Sequence, residues 1–192
     1  MHKIYEIGIN DYNEKVKIGG IMLKSYTTWI DMIKRCYSKK FQEKRPTYIG
    51  CKVCDEWLHF SKFKKWFDEN YPYHLEEQGT RLQLDKDLMS TDEKIYSPDT
   101  CVFLPNKVNK FISNRKNTNK IGVTGVCWNK RNNAWTSQIT DYTTGKAKHL
   151  GYFKNIEDAK NAYIKARAVE VEKVKEHMRE LGYIEEIIDR IK

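Results

Sequence analysis

The chain has 192 residues, 40% hydrophobic and 32% charged, enough for one large domain or two small ones with a real core. No apolar run approaches the roughly 20 residues that cross a bilayer, and MHKIYEIGINDYNEK has no apolar signal core. The expectation is therefore a cytosolic protein whose five cysteines are thiols or metal ligands, and whose net charge of +9 suits nucleic acid better than a membrane surface.

In chain order, residues 3–20 read as an irregular or hairpin lead-in, ending in the turn-forming pair Gly19–Gly20. Trp29, Ile30, Ile33 and Cys36–Tyr37 recur at helical spacing over 25–37. Trp57, Phe60, Phe63, Trp66 and Phe67 predict one face of an aromatic-rich helix over 55–70. Residues 71–80, with Pro72 and Gly79, read as a loop. LQLDKDL (82–88) alternates like a strand, YSPDT (96–100) is a turn, CVFLP (101–105) a second strand, and 107–112 a short helix.

Residues 113–118 open a stretch without large apolar side chains and read as a basic linker. Beyond it the period becomes two. GVTGVCWNK, AWTSQIT and KHLGYF are strand-like runs separated by NKRNN and DYTTG, both turn chemistry. Asn155 then stands as an N-cap, with Asp158 at the third helical position. The helix runs to about Leu181 and stops at Gly182, its apolar stripe formed by Ile156, Ala159, Ala162–Tyr163, Ala166, Val169, Val174, Met178 and Leu181. A last short helix at 184–191 packs back on the fold or forms a dimer contact.

Charge is unevenly distributed. Residues 105–150 hold nine basic residues against Asp141, a net of +8, and residues 24–66 hold eleven basic and four acidic, a net of +7. Residues 67–104 hold three basic and nine acidic, a net of −6. Two basic stretches flanking an acidic one suit an enzyme that holds phosphates with cations and a divalent metal with carboxylates.

The string TGVCWNKRNNAWTSQI…LGYFKNIEDAKNAYIKA resembles an ethylene-response-factor (Apetala-type) DNA-binding domain over about residues 119–168, through Gly125, Val126, Trp128, Trp135, Ile139, Leu150, Gly151, Phe153, Ala159, Ala162 and Tyr163. The resemblance implies a three-stranded antiparallel sheet packed on one helix and laid in the major groove of double-stranded DNA. By position it implies DNA contacts from Thr124, Trp128, Lys130, Arg131, Gln138, Thr140, Lys148 and His149. Arg115 and Lys116, in the basic linker, are added as phosphate contacts. Several strand arginines of the plant domains are replaced here by Thr124, Cys127 and Thr140, so phosphate binding carries over and sequence preference does not. Trp128 reads equally as a sheet-packing residue.

The first part, TWIDMIKRCY…YIGCKVCDEWLHFSKFKKW…LQLDKDL…YSPDTCVFLPNKVNKF, is similar to phage-encoded HNH-type (ββα-metal) endonuclease-like proteins. The resemblance implies a Mg²⁺ held by Asp85 and by Asn109 (or Asn106), with Lys86 where a general-base histidine would stand, Thr100 at the motif's middle position, and His74 as an alternative imidazole. Such a metal stabilises the leaving oxygen while the base activates water. Asp85 and Asp87, two apart on a strand, would face the same way and share a metal. Cys36, Cys51, Cys54 and Cys101 read as buried thiols or as a four-cysteine Zn²⁺ site.

The fold expected is α+β: an HNH-like ββα module with aromatic-rich helices over 1–112, the linker, an ERF-like domain over 119–182 and a helical tail over 183–192. The function implied is a phage or mobile-element DNA-binding protein, a homing-type endonuclease that nicks or cuts DNA with a divalent metal in the host cytosol. The alternatives are a catalytically inactive DNA-binding regulatory or anti-defence protein, and a zinc-stabilised recruiter of a partner. Oligomeric state, DNA site and the choice between DNA and RNA are open.

Overall fold

A computed structural model describes residues 3–90, 94–113 and 124–192, so most of the predicted basic linker, including Arg115 and Lys116, lies outside the described residues. The fold is α+β, and the chain separates into two compact units, Met1–Asn106 and Lys107–Lys192.

The first unit opens with two small hairpins. Strands β1 (Lys3–Ile4) and β2 (Gly8–Ile9) pair across Tyr5 and Glu6, and β3 (Lys17–Ile18) and β4 (Ile21–Met22) pair across Gly19–Gly20. Both glycines have positive φ, +56° and +84°, which suits a tight two-residue turn. Helix α1 (Lys24–Tyr37) buries Trp29, Met32, Ile33 and Cys36, one face at helical spacing. The Trp29 indole N–H donates to the Trp57 carbonyl at 2.7 Å, so this core tryptophan keeps its polar atom satisfied. Ser38 then breaks the helix and caps α2 (Lys39–Lys44) by accepting from the Phe41 N–H.

The aromatic segment at 55–70 is two pieces rather than one helix. A 3₁₀ turn spans Asp55–Leu58, His59 is extended, and α3 covers Phe60–Asn70. The break is imposed from far away in sequence. Asp11 accepts from the Ser61 backbone N–H, the Ser61 hydroxyl and the His59 ring, and so caps α3 in trans. The predicted face is nevertheless buried: Trp57, Phe60, Phe63 and Phe67 are all 1% exposed or less. The predicted loop at 71–80 contains a short helix, α4 (Tyr73–Glu77), pinned by buried Leu75.

Between α2 and α3, strand β5 (Lys52–Val53) pairs in parallel with β7 (Ile95–Tyr96). Strand β6 (Leu82–Asp85) pairs antiparallel with β8 (Val102–Pro105), and helix α5 (Asn106–Ile112) follows β8 directly.

The second unit is the predicted three-stranded antiparallel sheet on one long helix. Strands β9 (Val126–Asn129), β10 (Ala134–Thr140) and β11 (Ala147–Phe153) lie in the order β11-β10-β9. The sheet carries helix α6 (Ile156–Glu180), whose N-cap Asn155 accepts from the Glu157 N–H at 2.9 Å. Ala159, Glu170, Val171, Val174 and Met178 form its buried face, while Val169, expected in the stripe, is 58% exposed. Position 169 lies one helical step from 170 and so points away from the sheet. The tail helix α7 (Glu185–Ile188) packs against α6, with Ile188 and Ile191 no more than 2% exposed.

Candidate nucleic-acid interface

Strand register decides which sheet residues share a face, because directly paired antiparallel residues point the same way. Trp128 pairs with Trp135, and Val126 with Ser137. Val126 and Ser137 are buried at 1% and 0%, and a Cβ on neighbouring Gly125 would stand 2.5 Å from the Tyr163 ring of α6. This is the helix side. Trp128 therefore leaves the sheet on the helix side and meets Trp135 edge-on at 5.2 Å, although it is 42% exposed. The DNA-contact role the resemblance implies for Trp128 does not sit with the other candidates. Lys148 pairs with buried Ile139 and projects from the edge strand on that same side.

The other face is open. It carries Cys127, Thr136, Gln138, Thr140, His149 and Tyr152. Of the predicted contacts, Gln138, Thr140 and His149 come together here, and Thr124 is exposed just before β9. Cys127 and Tyr152 were not predicted. A bulge explains why Tyr152 escapes a sequence reading. The register shifts between Ser137 and Gln138, leaving Leu150 as an extra residue in β11, with Gly151 at φ +142° beside it. His149 and Tyr152, three apart, would point to opposite faces of a regular strand. The bulge puts them on the same face, with ring centroids 4.6 Å apart. The hydroxyl of Thr136 lies 3.4 Å from His149 Nδ1 beneath them.

The turns at each end of β10 present cations. Asn129 accepts from the Asn132 N–H, and Asn133 takes the left-handed φ of +46°, so the loop holding Lys130 and Arg131 is tightly shaped. At the other end the Asp141 carboxylate accepts from the Thr144 N–H at 2.7 Å and from its hydroxyl at 2.8 Å, and Gly145 has φ +70°. Lys146 follows. The Lys173 ammonium beside Asp141, with the Thr144 donors, holds that carboxyl well below the usual range.

The two sides of this unit treat their cations differently. On α6, Lys160, Lys173, Lys175 and Arg179 lie within 4.0 Å of carboxylates, while exposed Lys165 has no carboxylate partner among the described residues. Lys130, Arg131, Lys146 and Lys148 are exposed and have no carboxylate partner among the described residues. Lys107 is used internally: its ammonium donates to the Thr143 carbonyl and lies 4.3 Å from the Tyr142 ring centroid.

The HNH-type candidates sit on and after β6, on α4, and on and before α5. Strand β6 ends at Asp85, so Asp85 and Asp87 do not alternate on one strand. Asp85 is buried, and its Oδ1 accepts from the Asp87 and Leu88 N–H groups at 3.0 and 2.8 Å, which caps the turn. Burial raises its pKa, outweighing those two donors. The Asp87 side chain is 76% exposed and pairs with the ammonium of buried Lys86. Burial by itself would lower the Lys86 pKa, but the hydrogen bond and charge of Asp87 outweigh it and the pKa is raised. Lys86 is thus an ammonium at neutral pH, with no lone pair to accept a proton. His74 is exposed on α4, and Thr100 organises the 97–100 turn by donating to the Ile95 carbonyl and lying 3.0 Å from the Ser97 hydroxyl. Asn109, on α5, accepts from the Ser113 hydroxyl through its carbonyl and its amide oxygen. No group of three His, Cys, Asp or Glu side chains suited to a metal ion forms among the described residues.

The cysteines sit in the first unit's core. Cys51 and Cys54 flank strand β5, where Cys54 N–H donates to the Tyr96 carbonyl. Burial pushes the Cys36 and Cys101 thiols up to about 12 and raises Cys51 and Cys54 as well.

No protein-family model, curated protein or solved structure matches this chain. No helix among the described residues is long and apolar enough to cross a membrane.

Proposed function

We propose that the chain is a DNA-binding protein that engages duplex DNA through its second unit, with Lys130, Arg131 and Lys146 on phosphates and Gln138, Thr140 and His149 toward base edges. The observation that carries this reading is a contrast in ion pairing: four of the six cations on the helix, Lys160, Lys173, Lys175 and Arg179, lie beside carboxylates, and Lys130, Arg131 and Lys146 on the sheet's turns have no carboxylate partner among the described residues. Exposed cations without a carboxylate partner are free to displace the counterions condensed on a phosphate backbone. Amide and hydroxyl groups on a flat strand face suit the donor and acceptor pattern of the major groove.

Binding without cleavage is the function the geometry favours. The resemblance of the first unit suggests a homing-type endonuclease of phage or mobile-element origin. Its Asp85 serves a turn and its Lys86 is protonated, which supports instead a regulatory or anti-defence binder that keeps the fold. Titration of a labelled mixed-sequence duplex at rising salt tests the first claim. Affinity falling steeply with salt is expected; a chain that ignores duplexes in dilute buffer refutes it. Incubation of supercoiled plasmid with Mg²⁺ or Mn²⁺ tests the second. Intact plasmid is expected, and nicking abolished by Asp85→Ala would restore the endonuclease reading.

A further inference from the structure

Tyr152 is 54% exposed on the open sheet face, an unusual position for so large a ring, and His149 stands beside it with ring planes inclined at 55°. The pair is held from below, since Thr136 is only 9% exposed beneath it and lies within 3.4 Å of His149 Nδ1. Gln138 pairs with His149 across the strands, and Thr140 follows on the same face, so an amide and a hydroxyl border the rings. The cations of both β10 turns, Lys130, Arg131 and Lys146, rim the same unit without carboxylate partners among the described residues. An exposed aromatic pair, polar groups beside it and a cationic rim together make a stacking platform with a phosphate track.

We infer that the Tyr152–His149 pair stacks an unpaired nucleobase, so that this face also takes a single DNA strand. The inference rests on the reading of the open face as a nucleic-acid surface. In a closed duplex the faces of each base are covered by neighbouring pairs, and only edges are offered. The Tyr152 ring offers a face, which an unpaired base can match. Gln138 and Thr140 then stand within the same strip of sheet as that base's hydrogen-bonding edge, and the turn cations hold the phosphates on either side.

The test uses the full chain, short oligothymidylate strands, and strands of equal length and charge carrying abasic sites. Wild-type protein is expected to hold oligothymidylate about tenfold more tightly than the abasic strand, the size of one stacking contact. Tyr152→Ala should erase that gap while leaving the salt dependence of duplex binding unchanged, and Tyr152→Phe should preserve it. Equal affinity for thymidylate and abasic strands overturns the platform and leaves the duplex reading standing. The same follows if duplex is bound and neither strand is. If neither strands nor duplex bind at low salt, both readings fall together.

Discussion

Glu170 on α6, 3% exposed, accepts the backbone N–H of Tyr142 at 2.7 Å through one carboxylate oxygen and the Lys173 ammonium at 2.7 Å through the other. Lys173 also reaches Asp141 at 2.8 Å, so one lysine ties the helix to the turn that presents Lys146. Glu170→Ala leaves the buried Tyr142 N–H without its acceptor and is expected to cost about 1–3 kcal/mol. Lys173 is open to solvent, which screens its ion pairs, so they add little to that. Glu170→Gln keeps an acceptor and should cost clearly less. Urea denaturation of the two variants checks the order; equal losses would mean that charge, not the hydrogen bond, matters at this position.

Gly125 is the tightest point between sheet and helix. Its φ is +77°, and a Cβ there would meet the Gln138 carbonyl oxygen at 2.3 Å and the Tyr163 ring at 2.5 Å. The Gln138 N–H also donates to the Gly125 carbonyl at 2.8 Å, so the backbone cannot move away cheaply. Gly125→Ala combines left-handed strain of about 1–2 kcal/mol with overpacking of about 1–3 kcal/mol. A large drop in the thermal midpoint of the second unit is expected. A shift of less than a degree would show that Tyr163 yields freely.

Lys130 and Arg131 project from a turn whose shape depends on Asn129 and Asn133, not on their own side chains. Replacing both by alanine should leave the melting temperature unchanged. It should also weaken binding to all duplex sequences alike and flatten the logarithmic salt slope by up to about two. An unchanged slope would take both residues out of the interface.

His177 hydrogen-bonds through Nδ1 to the Tyr142 hydroxyl. Burial lowers its pKa below 6.5, the cation of Lys107 lowers it further, and Glu180 only partly opposes them. The unfolded chain then binds more protons than the folded one just below pH 6.5, so stability rises with pH there. Acidification from neutrality should destabilise the second unit, and His177→Gln should flatten that dependence. Denaturation midpoints across pH 5–7.5 decide it: an equally steep profile in the variant would assign the effect to another group.

Much of the fold was legible because its signals are local. The Gly19–Gly20 turn, the α1 stripe ending at Cys36, the Asn155 cap and the three strand runs each depend on neighbours a few residues apart. The break at His59 was not legible, because the group that causes it, Asp11, lies 48 residues earlier. Asp85 and Asp87 read as a same-facing pair on a continuous strand; the Asx-type turn at Asp85 buries the first and leaves the second exposed.

The amino-acid sequence by itself determined the element types, the turn chemistry and the concentration of positive charge, since periodicity and composition act over short spans. Which face Trp128 shares, that Lys173 reaches Asp141, and that Tyr152 stands beside His149 were decided only by the tertiary structure. A single extra residue at Leu150 reverses the strand alternation, and the Lys173–Asp141 pair joins a helix to a turn 32 residues earlier.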